Sequence, residues 1–507
     1  MIKFILKRLG ISFLVLLGGS LLMFYLTVSS GDPLQDYYES NDPNRDQIIA
    51  SITQRLMLDQ PWIARYWDWL TGVAGCIGPG VCDLGQNING VEVGSLLGNA
   101  AVSTLRLVTL ATVLAILVGI TVGIVTAIRQ YSGFDYVVTF LTFLFFSLPV
   151  FWAAVLLKEF GAIRYNDWIA DPQISSVQAI VIGVVLAVIL QAVLGGSWRR
   201  RLVTAGVTAV FVFAALTYFT SVGWWRAPAL GIGIVAVVAI AAAVGLTAIF
   251  AGLGNRRVLY STLTTVGVGL VAYYAVGPLL AEPNLLILLL LLAITIVVSL
   301  ASGYFWGGYS SRRTAMGLSA VTGVIMGLLI LLDRIVYAWA GFLGLKSRPI
   351  STIGSNTPNF RGDYWETILD NGTQLLLPTV LLTLISIASY SRYTRASMLE
   401  TMNQDFVRTA RSKGLSERVV IVKHAFRNAL IPITTIVAFD FAALIGGAVI
   451  TETVFGWKGM GELFRTGLDA VDPAPVMAFF LVTGLAAIVM NMLADIAYAF
   501  LDPRIRR

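Results

Sequence analysis

Residues 401–432 read TMNQDFVRTARSKGLSERVVIVKHAFRNALIP. This stretch decides how the chain is understood, because it is charged and amphipathic in a sequence that is otherwise mostly apolar. Eight Lys/Arg and three Asp/Glu lie from Arg392 through Arg427, whereas whole apolar runs elsewhere carry none. A basic loop beside a membrane span belongs on the cytoplasmic side. Asp405 to Ser412 holds helix formers without Gly or Pro. Gly414 suits the left-handed conformation that ends a helix. Ser416 is placed to cap the next one. Leu415, Val419, Val422 and Phe426 then recur at i, i+4, i+7 and i+11, an apolar stripe between Glu417, Arg418, Lys423 and Arg427. Such a stripe must bury itself against its own membrane helices, a lipid surface or a partner protein.

Working outward, composition sets the class. The chain has 507 residues, 57% hydrophobic and 12% charged, with mean hydropathy +0.81. A soluble protein cannot keep that much apolar surface from water. Several runs exceed the roughly 20 residues that cross a bilayer as a helix. The expected fold is an all-α polytopic membrane protein of about twelve transmembrane helices. The spans fall near 9–28, 103–127, 136–157, 178–195, 203–221, 229–251, 258–279, 285–305, 315–332, 374–391, 429–451 and 475–498. The net charge of +7 does not call for nucleic acid, since Lys and Arg sit mainly in short loops.

Lys3, Lys7 and Arg8 precede the first span and place the N-terminus inside. Every later inside turn then carries positive charge: Arg129, Arg199 to Arg201, Arg256 and Arg257, Arg312 and Arg313, the 392–428 loop, and the tail Arg504, Arg506 and Arg507. Outside turns hold little, for example Arg226 and Glu282. The first span shares features with a secretory signal, but its apolar run is long, and an uncleaved anchor is expected.

Residues 30–98 form an outside segment with Pro61, Trp62, Tyr66, Trp67 and Trp69, which read equally as an interfacial belt or a substrate platform. Both cysteines lie here, Cys76 and Cys82, around Gly78, Pro79 and Gly80. The turn brings the sulfurs together and the compartment permits oxidation, so a disulfide is expected. Neither a His nor a further Cys is near, which argues against a metal.

Residues 178–332 hold six spans but nine charged residues, seven of them in three turns. Arg200-Arg201, Arg256-Arg257 and Arg312-Arg313 recur every 56 residues, each after a glycine-bearing stretch. The pattern is that of three helical hairpins in tandem, an even number of crossings that leaves the flanks on one side.

Four stretches together resemble one family. Arg408-Thr409-Ala410, Gly414 and His424 through Pro432 resemble the EAA loop in permease subunits of binding-protein-dependent ABC importers, in its dipeptide and oligopeptide variant. Ser147 through Trp152, Thr451 through Gly461, and Leu501 through Arg506 resemble the same family in the same order. The resemblance covers about 1–160 and 340–507. It implies a six-helix permease core plus a six-helix inserted module. The segments are then 1–29 (start and first helix), 30–98 (outside), 99–177 (first core part), 178–334 (insertion) and 335–507 (second core part). In that family the loop seats in a cleft of an ATP-binding subunit, and ATP-driven closure of two such subunits swings access from outside to inside.

Carried onto this chain, the resemblance assigns coupling to Arg408, Thr409, Ala410, Gly414, Leu415, Arg418, Val419, Lys423 and His424. Gly414 would supply the bend and a close approach, Ala410 a small surface, and Arg418 and Lys423 contacts to an acidic rim. The translocation path is assigned to Ser147, Pro149 and Asp440. Asp440 reads equally as cavity lining or as a buried structural bond, since an acid in a span is costly and often functional. Implied partners are a second permease subunit, two ATP-binding subunits, an extracytoplasmic substrate-binding protein and the lipid bilayer. The implied location is the bacterial cytoplasmic membrane, multi-pass, with both termini cytoplasmic. The general pattern differs from this chain at Arg408, Thr409, His424, Phe426 and Arg427, and it lacks the insertion.

No phosphate loop is encoded: Lys346-Ser347 is the one Lys followed by Ser or Thr, and Leu345 precedes it. This chain is therefore read as a transport subunit with no catalytic residue, metal or cofactor of its own; ATP and Mg would be used by its partners. The cargo would be peptides, with nickel, glutathione or another small solute as the alternative. An ion-coupled secondary transporter would need more midplane ionisable groups and inverted repeats.

Overall fold

The computed structural model describes residues 2–76 and 82–501. The Gly78–Pro79–Gly80 turn, the side chains of Lys3, Lys7 and Arg8, and the tail from Asp502 with its arginines lie outside the described residues. Among the described residues the chain is helical, and its one extended pairing is an isolated bridge between Gln86 and Glu92.

The principal helices run in order. The first are α1 (Ile2–Val28), α2 (Trp62–Gly75), α3 (Val93–Ile128), α4 (Gly133–Ser147) and α5 (Val150–Lys158). Next come α6 (Ser176–Leu194), α7 (Trp198–Ser221), α8 (Gly231–Phe250), α9 (Arg256–Ala275) and α10 (Leu285–Tyr337). The last are α11 (Tyr364–Met402), α12 (Asp405–Ser412), α13 (Arg427–Gly447), α14 (Val449–Phe455) and α15 (Pro473–Leu501).

Among the described residues ten helices are long and apolar enough to cross a membrane, or eleven if one bent pair counts as a span. That pair is α4 with Val150–Ala170, bent by 103°. The straight span expected at 136–157 is therefore broken. The cause is local: Leu148 precedes Pro149 and takes the extended conformation that proline imposes (ψ 127°). The twelfth crossing comes from α10, which reverses at Gly308 (φ 55°). A Cβ on Gly303 would meet the Met316 backbone, and one on Gly323 would meet Ser299. Those contacts require two antiparallel limbs.

Contacts sort the chain into two ends. At one end Arg395 pairs with Asp135 (2.9 Å), Arg129 donates to the Val193 carbonyl (2.6 Å) and Asn255 to Ser311 (3.0 Å). This is the basic end, where the 401–432 stretch also lies. At the other end Trp365 Nε1 donates to the Leu280 carbonyl (2.7 Å) and Asn166 to that of Ile350 (2.8 Å). The segment carrying Cys76 and Cys82 joins this end through Ile88, whose amide donates to Asp472 (2.6 Å).

The centre of the fold is the α3–α11 pair. Both are long: 36 and 39 residues, or about 54 and 58 Å at 1.5 Å per residue. They come close because α3 is bare at the crossing. A Cβ on Gly119 would lie 2.9 Å from Tyr390 Cβ, and one on Gly123 would lie 2.6 Å from Thr394 Cβ and 2.7 Å from the Ser391 carbonyl. Small residues at a helix crossing supply the van der Waals contact that lipid-embedded helices depend on. The extra length of α11 emerges at the basic end. Residues 392–402, expected as part of a loop, are its last turns.

The 178–334 region forms three hairpins, and each turns on a left-handed glycine: Gly195 and Gly196, Gly252, and Gly308. The limbs of α8, α9 and α10 share a core of Val235, Ala239, Ala243, Val266, Met326 and Ile330, with Trp365 of α11 against it. Hydroxyls tie it further, Thr247 to Thr262 (3.2 Å) and Ser261 to Ser319. Asp333 accepts from the Gly231 amide (2.9 Å) and the Tyr273 hydroxyl (2.6 Å). The α6–α7 hairpin is more peripheral, and α7 has no buried side chain.

Gly123→Leu should overpack the α3–α11 crossing and cost about 1–3 kcal/mol or more. Gly98→Ala, on the same helix with nothing near its Cβ position, should be neutral or stabilising by up to about 1 kcal/mol. Thermal melting of the two purified variants in detergent checks the pair; equal melting temperatures would contradict the packing described.

Candidate functional site

The 401–432 stretch folds onto the basic end of the central pair. Helix α12 spans Asp405–Ser412, the extent its composition suggested. Val407 and Ala410 turn inward with Val420, Ala425 and Ala429 onto Ala127 of α3 and Met398 of α11. Ala410 is therefore small because it seats the loop on its own bundle, which differs from the partner-facing role expected for it. Gly414 is left-handed (φ +73°), and nothing lies within 4 Å of where its Cβ would be. Within this chain it supplies the bend and no close approach.

The second limb departs from expectation. Ser416 occupies the cap position but makes no side-chain cap bond. Glu417–Val419 is a single turn, and Val420–Phe426 continues as a π-helix that runs directly into α13. The wider turn rotates the faces, so Val420 and Ala425 are buried while Leu415, Val419 and Val422 are left exposed. Phe426 is half-buried. Phe406, from α12, is 44% exposed and Val422 59%. The expected apolar stripe is thus present but uncovered by the chain itself.

Charges frame it. Arg411 reaches across the Gly414 bend to Glu417 (2.9 Å), and Arg408 faces Asp405 at 3.7 Å. Both pairs are exposed and add little stability. Thr409 is exposed and bonds back to the Asp405 carbonyl (2.8 Å). Lys423 points to solvent and His424 is half-buried. Arg418 does not project freely. It donates to the Ile249 carbonyl at the end of α8 and lies over the Phe250 ring (5.3 Å).

The three path residues do not form one constellation. Asp440 is half-buried and accepts from Ser386 (2.8 Å) and Tyr390 (2.6 Å). These bonds fasten α13 to α11. Ser147 and Pro149 are exposed at the α4–α5 break, and Ser147 bonds back to the Leu144 carbonyl (3.0 Å). At the opposite end Cys76 and Cys82 are joined by a disulfide.

The opposite end holds a clasp that sequence reasoning passed over. Glu452 is fully buried. It accepts from Thr104 of α3 (2.6 Å) and from the amides of Gly461 (2.7 Å) and Glu462 (3.3 Å). Thr104 in turn accepts from the Met460 amide (2.8 Å). A Cβ on Gly461 would lie 2.6 Å from Val449 Cα, so only glycine lets the segment wrap the carboxylate this closely. Burial pushes the Glu452 carboxyl above the usual range, against the bonds from Thr104, Gly461 and Glu462. The available signal was an acid among glycines in Thr451 through Gly461.

With this geometry in view, known proteins supply the comparison. Residues 279–507 match the family described as the binding-protein-dependent transport system inner membrane component. An oligopeptide transport system permease protein of Mycobacterium tuberculosis is 40% identical over 189 residues, covering 37% of this chain and 57% of that protein. A putative peptide permease protein of Brucella ovis is 37% identical over 234 residues, covering 44% of this chain and 68% of that protein. The chain belongs to this family. An oligopeptide permease of Bacillus subtilis is 42% identical over 138 residues, 27% of this chain and 44% of its own. The chain spans 57% of the length of the mycobacterial oligopeptide permeases it matches.

The family match takes in α10 through α15. The loop around Gly414, Asp440 and the Glu452 clasp therefore all fall inside it. Membership and the apolar helices together make the chain a multi-pass membrane protein.

Asp472, at the same end, gives a pH dependence. Burial pushes it from 3.8 up to about 6, against bonds from the Ile88 and Ala474 amides and the nearby Arg65 charge. A carboxyl raised on folding makes the folded state bind more protons between those values. Its contribution to stability is full at low pH and is lost as pH rises through about 6. Asp472→Asn should therefore lessen the fall in melting temperature that the native chain shows from pH 4.5 to 7; parallel melting curves across that range would contradict the assignment.

Proposed function

We propose that this chain is the transmembrane permease subunit of an ATP-driven importer that moves peptides into the cytoplasm by alternating access. The observation that carries this reading is the bare apolar stripe of Leu415, Val419 and Val422, held on the basic end of the α3–α11 pair. The stripe is the seat for a separate ATP-binding subunit. Two such subunits use ATP and Mg, and a second permease subunit and an extracytoplasmic substrate-binding protein complete the assembly. The basic end and both termini face the cytoplasm, in keeping with the positive turns. Lys423 and Arg408 sit at the rim, where charges fix register more than affinity. Peptide cargo is favoured over nickel, glutathione or another solute because the similar proteins are described as peptide permeases.

The mechanical argument follows from how the loop is mounted. Val407, Ala410, Val420, Ala425 and Ala429 lock it to α3 and α11. A pull on the stripe is therefore delivered to both long helices, and through the Asp440 bonds from Ser386 and Tyr390 to α13. Gly414 sets the angle between the two limbs.

Co-purification tests the partners: the reading requires ATP-binding subunits with this chain, and a chain that transports alone along a proton gradient would contradict it. Gly414→Val cannot adopt φ +73° without strain, yet its Cβ would have nothing of this chain within 4 Å. The variant should insert normally and lose at least about tenfold in peptide uptake per ATP hydrolysed, a deficit of about 1.4 kcal/mol or more in coupling. Normal uptake per ATP by that variant in proteoliposomes, at equal expression, refutes the coupling role.

A further inference from the structure

We infer that the inner turn of the inserted region, Ile249 to Arg257, is part of the surface on which the ATP-binding subunit sits. This rests on the docking reading of the 401–432 loop and extends it to a part of the chain outside the family match, which begins at residue 279.

Three observations carry it. First, the turn and the loop are joined. Arg418 Nη1 donates to the Ile249 carbonyl and its guanidinium lies 5.3 Å from the Phe250 ring centre. A cation on the last carbonyls of a helix is favourably placed against the negative end of its dipole, so the contact holds the turn at the loop's flank. Second, Arg418 lies beside the stripe: Val419 and Val422 are within four residues of it on the same helical limb, and Leu415 sits just before that limb's cap. A protein seated on those residues meets whatever Arg418 touches. Third, the turn presents the same chemistry as the stripe. Ile249, Phe250 and Leu253 are all more than half exposed, while Val258, Ala315 and Leu318 beneath them are buried and fix the turn's base. Arg256 and Arg257 stand exposed beside it, as Lys413, Lys423 and Arg427 do beside the stripe.

Two exposed apolar groups with basic edges are thus held together by Arg418. A partner with an apolar cleft and an acidic rim fits them. The occupant is the ATP-binding subunit, because Arg418 joins the turn to the limb that carries Val419 and Val422. The insertion would then widen the seat of the motor. Arg418 acts inside this seat, as a bridge between loop and insertion.

Single-site labelling of the assembled importer tests this. The two native cysteines are paired in a disulfide, so Leu253→Cys and Val422→Cys each offer one free thiol for a benzophenone maleimide. Irradiation should attach both positions to the ATP-binding subunit. If Val422→Cys attaches and Leu253→Cys attaches to lipid alone or to nothing, the inference is overturned and the docking reading stands. If neither attaches, the docking reading fails and the inference with it. As a second readout, Leu253→Glu should reduce the ATP-binding subunit co-purified with the chain by at least about fivefold, equivalent to about 1 kcal/mol; unchanged recovery contradicts the inference.

Discussion

The structure depends on one close approach. Gly119 and Gly123 of α3 let α11 come in until the side chains of Tyr390 and Thr394 rest on bare backbone. In lipid no hydrophobic force drives helices together, so such contact has to come from fit. Because both helices outrun the bilayer, the pair is also a mount. At one end Thr104 of α3 holds Glu452 and the Met460 amide. At the other, Ala127 of α3 and Met398 of α11 seat the loop that bends at Gly414. Features at opposite ends of the molecule are therefore attached to the same helix pair, which is the mechanical link that the proposed coupling uses.

The inserted hairpins are arranged around that mount without replacing any part of it. Their own core, with Met326 and Ile330 at its centre, meets the pair through Trp365 at one end. Arg418 reaches back to them at the other. Three hairpins make six crossings, so the helices before and after keep their sense. Left-handed glycines allow each reversal in a few residues, and buried hydroxyls such as Ser261, Ser319 and Thr247 satisfy one another where lipid cannot.

Much of this is legible in the order of residues. Long apolar runs mark the crossings, and the Arg pairs after glycines mark the hairpins, because both signals are local. The bounds of α12 and the bend at Gly414 follow from helix formers and a terminating glycine. What escapes is set by packing between distant segments. Nothing near Glu452 announces Thr104, nearly 350 positions earlier. Ala410 reads as a small surface residue until Met398 and Ala127 are seen beneath it. The π-turn at Val420–Phe426 brings Val420 and Ala425 to the buried face, and the periodicity of an ordinary helix, with its stripe at Leu415, Val419, Val422 and Phe426, does not single them out.

The central claim is that the loop and the α3–α11 pair move together when ATP-binding subunits close. Spin labels at Val422 on the loop and Leu117 on α3, both exposed, measure it in the assembled importer by pulsed electron resonance. A third label at Leu26 on α1 reports motion of the pair within the bundle. The account predicts an unchanged Val422–Leu117 distance between nucleotide-free and ATP-trapped states, with a changed Leu117–Leu26 distance. A Val422–Leu117 distance that shifts with nucleotide while Leu117–Leu26 stays fixed would contradict it.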